Sequence, residues 1–181
     1  SLGIEHLELE DDKQVSVWFY DDYSRELEEA GYLTAYREAV WNQEYQKVFP
    51  FPGPSQWHPD AWVGRKAAEY IRQYDCSKPL FTWISFSGPH YTFDAPEEYL
   101  KQADTEHLPQ RKRKEGELEG TDRIHHDSYF GGPNANIDGS RQAEGCACKN
   151  YTEDYWKRLL TSYCANIKLI DDQVGEILRA V

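Results

Sequence analysis

The 181-residue chain contains no methionine, only four cysteines and no long apolar run. In a chain this long, Cys76, Cys146, Cys148 and Cys164 are too few for a disulfide framework. A membrane span needs about 20 consecutive apolar residues. No segment approaches that length, so we expect no membrane partner, and the compartment stays open. The chain begins at Ser1 without a methionine, which predicts a segment taken from a longer protein.

Positive charge is also scarce, because 20 Lys and Arg face 32 Asp and Glu, for a formal net charge of −12. A field of that sign repels nucleic acid and anionic membranes, so we expect neither as a partner. A small anionic ester is still compatible with the sequence, because a helix N-terminus or a few local cations can bind one anion. The basic run at 111–114 is followed at once by acidic residues and predicts a solvated loop.

Aromatic residues, by contrast, are abundant: 6 Trp, 13 Tyr and 7 Phe are more than a disordered chain carries. We therefore predict one folded domain. Local patterns predict extended or strand segments at 4–10 and 15–20, a short helix near 23–30, a proline-rich connecting loop at 48–59 and an amphipathic helix at about 60–74. A long final helix begins after Thr152, with its apolar face formed by Trp156, Leu159, Leu160, Tyr163, Ile167, Ile170, Val174, Ile177, Leu178 and Val181.

The run LFTWISFS at 80–87 is almost continuously apolar and rich in β-forming residues. Such a run predicts a strand buried on both faces, as in a parallel sheet covered by helices. Gly88 and Pro89 end it, so His90 follows its carboxyl end, the edge at which open α/β sheets bind ligands. Taken alone, a histidine there either ends a loop or donates an N–H to an anion.

Residues 101–150 predict a long loop, since a charge-mixed stretch leads into a segment rich in Gly, Asn and Asp. Cys146 and Cys148, with His125 and His126 upstream, could be interpreted as a metal site. A metal site would usually have C-x-x-C or H-x-x-x-H spacing together with a second pair of ligands, and this segment lacks that pattern. Free thiols are therefore the favoured interpretation. Asn150 opens an N-glycosylation sequon, a tripeptide that is common by chance.

Two segments carry a resemblance to a known family. The strand-like run followed by GPHYTFDAPEEY, from Gly88 to Tyr99, resembles the middle of the sulfatase family, where a Pro-His loop precedes F-x-x-P-x-x-Y. The final helix, with YCA at 163–165, LIDDQVG at 169–175 and IL at 177–178, is similar to that family's Y-x-A and I-D-D-Q-V-G-x-I-L helix. The helix at 60–74 is a third agreement. The resemblance covers most of this chain but only the middle of the family.

The resemblance implies an α/β fold: a partial alkaline-phosphatase-like α/β/α sandwich, with 1–181 as a single interior segment of a sulfatase catalytic domain. The parent would hydrolyse small sulfate esters using formylglycine and calcium, and His90 would help to hold the sulfate. Asp171 and Asp172 are adjacent on a helix and face different directions, so we interpret them as surface and packing residues. No cysteine lies in a C-x-P-S-R motif and the calcium motifs are absent. We therefore expect no cofactor, no metal and no catalysis in this chain alone.

Three alternatives stay open. A phosphonate or phosphodiester hydrolase of the same superfamily would share the Pro-His loop. A non-catalytic carbohydrate-binding module could stack sugars on Trp18, Trp41, Trp57 and Trp62, although Trp62, like Trp83 and Trp156, lies in an apolar periodic segment and is expected in the core. Finally, the final helix and the strand would lose neighbours in an isolated segment, which predicts self-association, with a dimer expected.

Overall fold

The computed structural model describes residues 4–13, 18–42, 48–110, 112, 114–121, 127, 129–130 and 148–181. The described chain is mainly helical, with α1 Asp22–Glu29, α2 Leu33–Asn42, α3 Pro59–Gln73, α4 Glu97–Gln102, α5 Glu153–Ala180 and 3-10 turns at Ser55–Trp57 and Cys148–Asn150. The β pairing seen among these residues is an isolated parallel bridge between Val48 and Phe93.

The chain divides into two compact units. The first contains the described residues of 1–43, 47–103 and 162–181, and includes α1 to α4 and most of α5. The second contains those of 104–161, with the Cys148–Asn150 turn and the start of α5. The prediction of one interior segment that carries a long loop at about 101–150 stays a prediction.

Local signals set the helix ends as the sequence predicts. The Asp21 side chain accepts a hydrogen bond from the Ser24 N–H at 2.7 Å and caps α1. Gly31 follows α1 with φ +83°, a conformation that glycine adopts without strain. Thr152 Oγ1 accepts from the Tyr155 N–H at 3.1 Å at the start of α5. The predicted helices near 23–30, at 60–74 and after Thr152 are confirmed, whereas α2 and α4 were not predicted.

An apolar core holds the first unit together. Trp62 of α3 is 1% exposed and packs edge-on against Tyr23 of α1, with ring centroids 5.6 Å apart. Its indole N–H donates to Glu26 Oε2 at 2.9 Å, so the ring is buried with its polar atom satisfied. The prediction that Trp62 is a core residue is confirmed, and its ring is not available for stacking on a sugar. The cluster consists of Tyr23, Leu27, Leu33, Tyr36, Val40, Phe49, Phe51 and Trp62.

The predicted buried strand at 80–87 is not formed. These residues adopt neither helix nor strand, and Phe81 and Trp83 are 87% and 85% exposed, so the expectation that Trp83 is a core residue is wrong. A strand needs hydrogen bonds from a neighbouring strand, and no described residue provides a ladder for this segment. Of the two possibilities predicted for 4–10, a strand or an extended segment, the strand is not formed, and residues 18–20 are likewise not in a strand, whereas 15–17 lie outside the described residues.

Helix α5 buries a different face from the one predicted. The buried side chains of α5 are Tyr155, Ser162, Ala165, Asn166 and Leu169. Much of the predicted apolar stripe is exposed, since Ile167 is 45% and Leu178 70% exposed. A Cβ on Gly64 of α3 would overlap the Gln173 side chain of α5. The absence of a side chain at Gly64 therefore allows α3 to approach Gln173 of α5 closely.

The long loop is only partly described. His125, His126 and Cys146 lie outside the described residues, so the structure does not address the proposed cysteine and histidine metal site. Cys76 and Cys164 are free thiols. Among the residues that the structure describes, no helix combines the length and the apolar character needed to cross a membrane.

Candidate functional site

His90 lies in a tight turn between residues 87 and 94. Its backbone N–H donates to the Ser87 carbonyl at 3.2 Å, and the Gly88–Pro89 and Tyr91–Thr92 peptide bonds are cis. The imidazole is exposed and stacks on the Tyr91 ring, with centroids 4.2 Å apart and planes at 28°. The sequence places His90 after the 80–87 segment, and the structure presents its ring at the surface of the first unit.

The hydrogen bonding of His90 assigns its ring protons. Nδ1 lies 2.7 Å from the Tyr91 carbonyl oxygen, which can only accept, so Nδ1 carries a proton. In the neutral ring Nε2 is then an acceptor, and it becomes a donor only in the imidazolium form. No hydrogen bond to Nε2 is seen within the described part of the chain. An anion could therefore be bound at Nε2 by the protonated ring.

A buried polar network, formed by Lys13, His58, Asp60, Asp94 and Asn166, adjoins this turn. Each of the five residues is at most 3% exposed. Lys13 Nζ donates to Asp94 Oδ1 at 2.9 Å and to Asn166 Oδ1 at 3.0 Å, and it lies 3.4 Å from Asp60 Oδ2. Asn166 Nδ2 donates to Asp60 Oδ2 at 2.9 Å. The ammonium group thus has three oxygens for its three N–H donors.

Asp94 is a fully buried carboxylate of the buried polar network. Besides Lys13, it accepts a hydrogen bond from the Tyr36 hydroxyl at 2.8 Å. His58 Nε2 lies 3.4 Å from Asp94 Oδ1, too poorly aligned for a hydrogen bond, while His58 Nδ1 accepts from the Asp60 N–H at 3.3 Å. Burial alone would raise the pKa of Asp94, but the positive charge of Lys13, together with the adjacent His58 ring, outweighs burial and lowers it. Asp94 therefore remains ionised in the folded chain.

Glu10 is a second acidic group near this network, and its environment shifts its pKa in the opposite direction from that of Asp94. Burial, followed by the negative charge of Asp60, raises the pKa of Glu10 to about 8. Glu10 Oε1 and the neighbouring Ser87 Oγ are buried without a hydrogen-bond partner of good geometry among the described residues. Glu10 is thus held in its neutral form at pH 7.

The buried polar network contacts the His90 turn directly. The Gly88 N–H donates to Asp60 Oδ1 at 2.8 Å. A Cβ at position 88 would overlap both Asp60 Oδ2 and Asn166 Oδ1, so only glycine brings the backbone this close. The turn is therefore fixed to the network two residues before His90, through a residue that permits no side chain.

The described residues do not fit a calcium ion. Calcium requires six to eight oxygen ligands, and the two carboxylates near Lys13, Asp60 and Asp94, both already pair with its ammonium group. No group of three or more His, Cys, Asp or Glu side chains that could hold a metal occurs within the described residues. Asp172 accepts from the Tyr99 hydroxyl and pairs with Lys168, which agrees with the interpretation of Asp172 as a packing residue.

Comparison with known proteins identifies the class. The sulfatase family profile matches residues 12–181, and the chain belongs to the sulfatase family. An arylsulfatase of Clostridium perfringens (strain 13 / Type A) is 29% identical over 124 residues, which cover 68% of this chain and 23% of that protein. An arylsulfatase of Klebsiella aerogenes is 22% identical over 132 residues, covering 71% of this chain and 27% of that protein. The chain thus spans about a quarter of the length of these relatives.

The sequence predicted His90 but not the buried polar network beside it. Lys13 is 81 residues from Asp94 and 153 from Asn166, and it follows two aspartates in a stretch that looks like a solvated charge run. Asn166 could have been noticed, because it is a polar residue inside an otherwise apolar helix pattern. Nothing local in the sequence predicts that Asp60, in the first turn of α3, reaches the Gly88 backbone.

Proposed function

We propose that this chain is an interior segment of a sulfatase that hydrolyses sulfate esters, and that His90 binds the sulfuryl group of the substrate. The observation that carries the proposal is the exposed His90 imidazole, whose Nδ1 is engaged by the Tyr91 carbonyl while Nε2 faces no described partner. That ring lies within the region that matches the sulfatase family. The two arylsulfatase relatives support an aryl sulfate as the first substrate to test.

The chemistry of His90 follows from its ring protons. An imidazolium Nε2–H can donate to a sulfuryl oxygen, and its positive charge offsets the anion. As the ester bond breaks, negative charge grows on the sulfuryl oxygens and the leaving oxygen, so a fixed donor stabilises the transition state more than the ground state. Sulfate esters stay anionic across the usual pH range.

The proposed parent enzyme would use formylglycine as its nucleophile and calcium to offset charge at the sulfate. No cysteine of this chain has the C-x-P-S-R context, and the described carboxylates do not suit calcium. We propose that the isolated chain, lacking these groups, does not turn over sulfate esters. His90 alone cannot supply the roughly 8 kcal/mol of barrier lowering that even a modest enzyme provides.

The test compares His90→Ala with wild type in the full-length enzyme that contains this segment. We expect kcat/KM for 4-nitrophenyl sulfate to fall about a hundredfold, as for loss of one transition-state donor. His107→Ala is the matched control, since His107 is also exposed but contacts Asp104 in another loop. Equal rates for His90→Ala and wild type would contradict the proposal. Faster hydrolysis of bis(4-nitrophenyl) phosphate than of the sulfate would favour the phosphodiesterase alternative.

We also propose that the isolated chain self-associates through its exposed apolar side chains. Phe81 and Trp83 project from the 80–87 segment, and Leu178 is 70% exposed on α5. Apolar surface of this kind is removed from water most readily by a second copy when no other partner is present.

A further inference from the structure

We propose that Asp60 and Asn166 are positioning residues that fix the His90 turn for sulfate binding, an inference that rests on the proposed role of His90. Neither residue is expected to touch the substrate, since Asp60 is fully buried and Asn166 is 3% exposed. They act through the backbone of Gly88, two residues before the histidine.

The hydrogen bonds form one continuous path. Lys13 Nζ donates to Asn166 Oδ1, Asn166 Nδ2 donates to Asp60 Oδ2, and the second oxygen of Asp60 accepts the Gly88 N–H. Every polar atom of the Asn166 and Asp60 side chains along this path has a partner. In a buried site such charge-assisted bonds are strong, and a rotation of either side chain would leave a buried group unpaired.

The same lysine also fixes the other end of the turn. Asp94, four residues after His90, accepts from Lys13 Nζ at 2.9 Å and from the Tyr36 hydroxyl at 2.8 Å. His90 therefore lies between two anchor points, Gly88 and Asp94, that share one buried cation. Because the turn is held at both ends, the His90 side chain is confined to a narrow range of positions. A hydrogen-bond donor to a developing charge requires such a fixed position.

The decisive experiment exchanges the carboxylate of Asp60 and the amide of Asn166 in the full-length enzyme. Asp60→Asn turns an amide N–H toward the Asn166 amide, and Asn166→Asp turns a carboxylate toward Asp60, so each single change breaks the path. In the double variant, the amide at 60 can accept from Gly88 and donate to the carboxylate at 166, which in turn accepts from Lys13. The double variant keeps the net charge and every donor–acceptor pair along the path, and it loses only the longer 3.4 Å contact between Lys13 Nζ and Asp60 Oδ2, because the new carboxylate at 166 pairs with Lys13 instead.

We expect each single variant to lower kcat/KM for 4-nitrophenyl sulfate about tenfold or more, and the double variant to recover most of the loss. In a His90→Ala background the single changes should have little further effect on kcat/KM. Their effect on thermal unfolding should be the same in both backgrounds. Tyr23→Phe, which removes the bond to the Trp57 carbonyl, is the control for loss of one buried hydrogen bond elsewhere and should leave kcat/KM near wild type.

Three results would overturn the inference: unchanged activity in both single variants, no recovery in the double variant, or an equal loss with and without His90. The last would show that the pair only maintains the fold. If His90→Ala itself has no effect, the proposed function fails as well. If His90→Ala is severe but the single variants are not, the function stands and only the positioning role is wrong.

Discussion

Replacing Lys13 by methionine tests the energetics of the buried polar network. Lys13 is fully buried, and methionine is of similar length without the charge. The change leaves the Asp60 and Asp94 carboxylates, 3.4 Å and 2.9 Å from Nζ, without their cation. Breaking a buried pair by removing one partner costs about 3–5 kcal/mol. Since small domains are stable by about 5–15 kcal/mol, we expect the free energy of unfolding to fall by a large fraction.

Urea unfolding followed by tryptophan fluorescence measures this loss at pH 7. Lys66→Met is the matched control, because Lys66 pairs with Glu8 and Glu26 at a partly exposed site, where such pairs contribute about 1 kcal/mol or less. A second variant, Lys13→Met with Asp94→Asn, removes one orphaned charge and should recover about 1–3 kcal/mol. The loss of stability in Lys13→Met should also shrink as pH falls, because Lys13 lowers the pKa of Asp94 in the wild type and protonation neutralises this carboxylate once its cation is gone.

Two results would contradict this prediction: a cost of Lys13→Met no greater than that of Lys66→Met, or a further loss of stability when Asp94→Asn is added to Lys13→Met. In either case Lys13 would not be the cation that compensates these carboxylates. Measurements over a range of pH separate the cost of the unpaired charge from the cost of lost packing, since a loss of packing alone would not depend on pH.

Two further predictions concern Glu10 and the exposed apolar segment. The folded state binds a proton at Glu10 up to about pH 8 whereas the unfolded state releases it near 4.5, so stability should decline as pH rises through that window. Glu10→Gln should make stability depend less on pH and should raise the free energy of unfolding by about 1–2 kcal/mol at pH 8.5. This value is lower than the full pKa shift implies, because the side chain is partly exposed. An unchanged pH profile of stability would contradict the prediction. Sedimentation should show a concentration-dependent dimer of the isolated chain that Phe81→Ser with Trp83→Ser weakens, and a monomer at high concentration would contradict it.

The sequence was informative where a structure is decided locally. The cap at Asp21, the proline at the start of α3 and the Thr152 cap each act within one helical turn, so those helices could be placed. The prediction of a strand at 80–87 was wrong for the opposite reason. Its composition favours a strand, but a strand requires a neighbour to pair with, and the described chain provides none. Composition alone cannot supply that partner.

The candidate site also has one part that a local sequence motif indicates and another part that only the folded chain brings together. His90 could be found because it follows a recognisable Pro-His turn. The residues that hold the turn come from four separate segments, and their charges pair across 81 and 153 positions. Such pairing depends on how α3 and α5 cross, and that crossing depends on Gly64 meeting Gln173. No periodicity in either helix predicts it.

The position of Asn166 in α5 has a practical consequence for truncation. A polypeptide shortened to end before this residue would retain the Pro-His sequence, yet Lys13 would lose one of its acceptors and Asp60 its amide donor. The Gly88 amide would then be bonded to a carboxylate that is itself loosely held. The minimal length of a recombinant piece that preserves the shape of the His90 turn is thus set by a residue 76 positions downstream of the histidine.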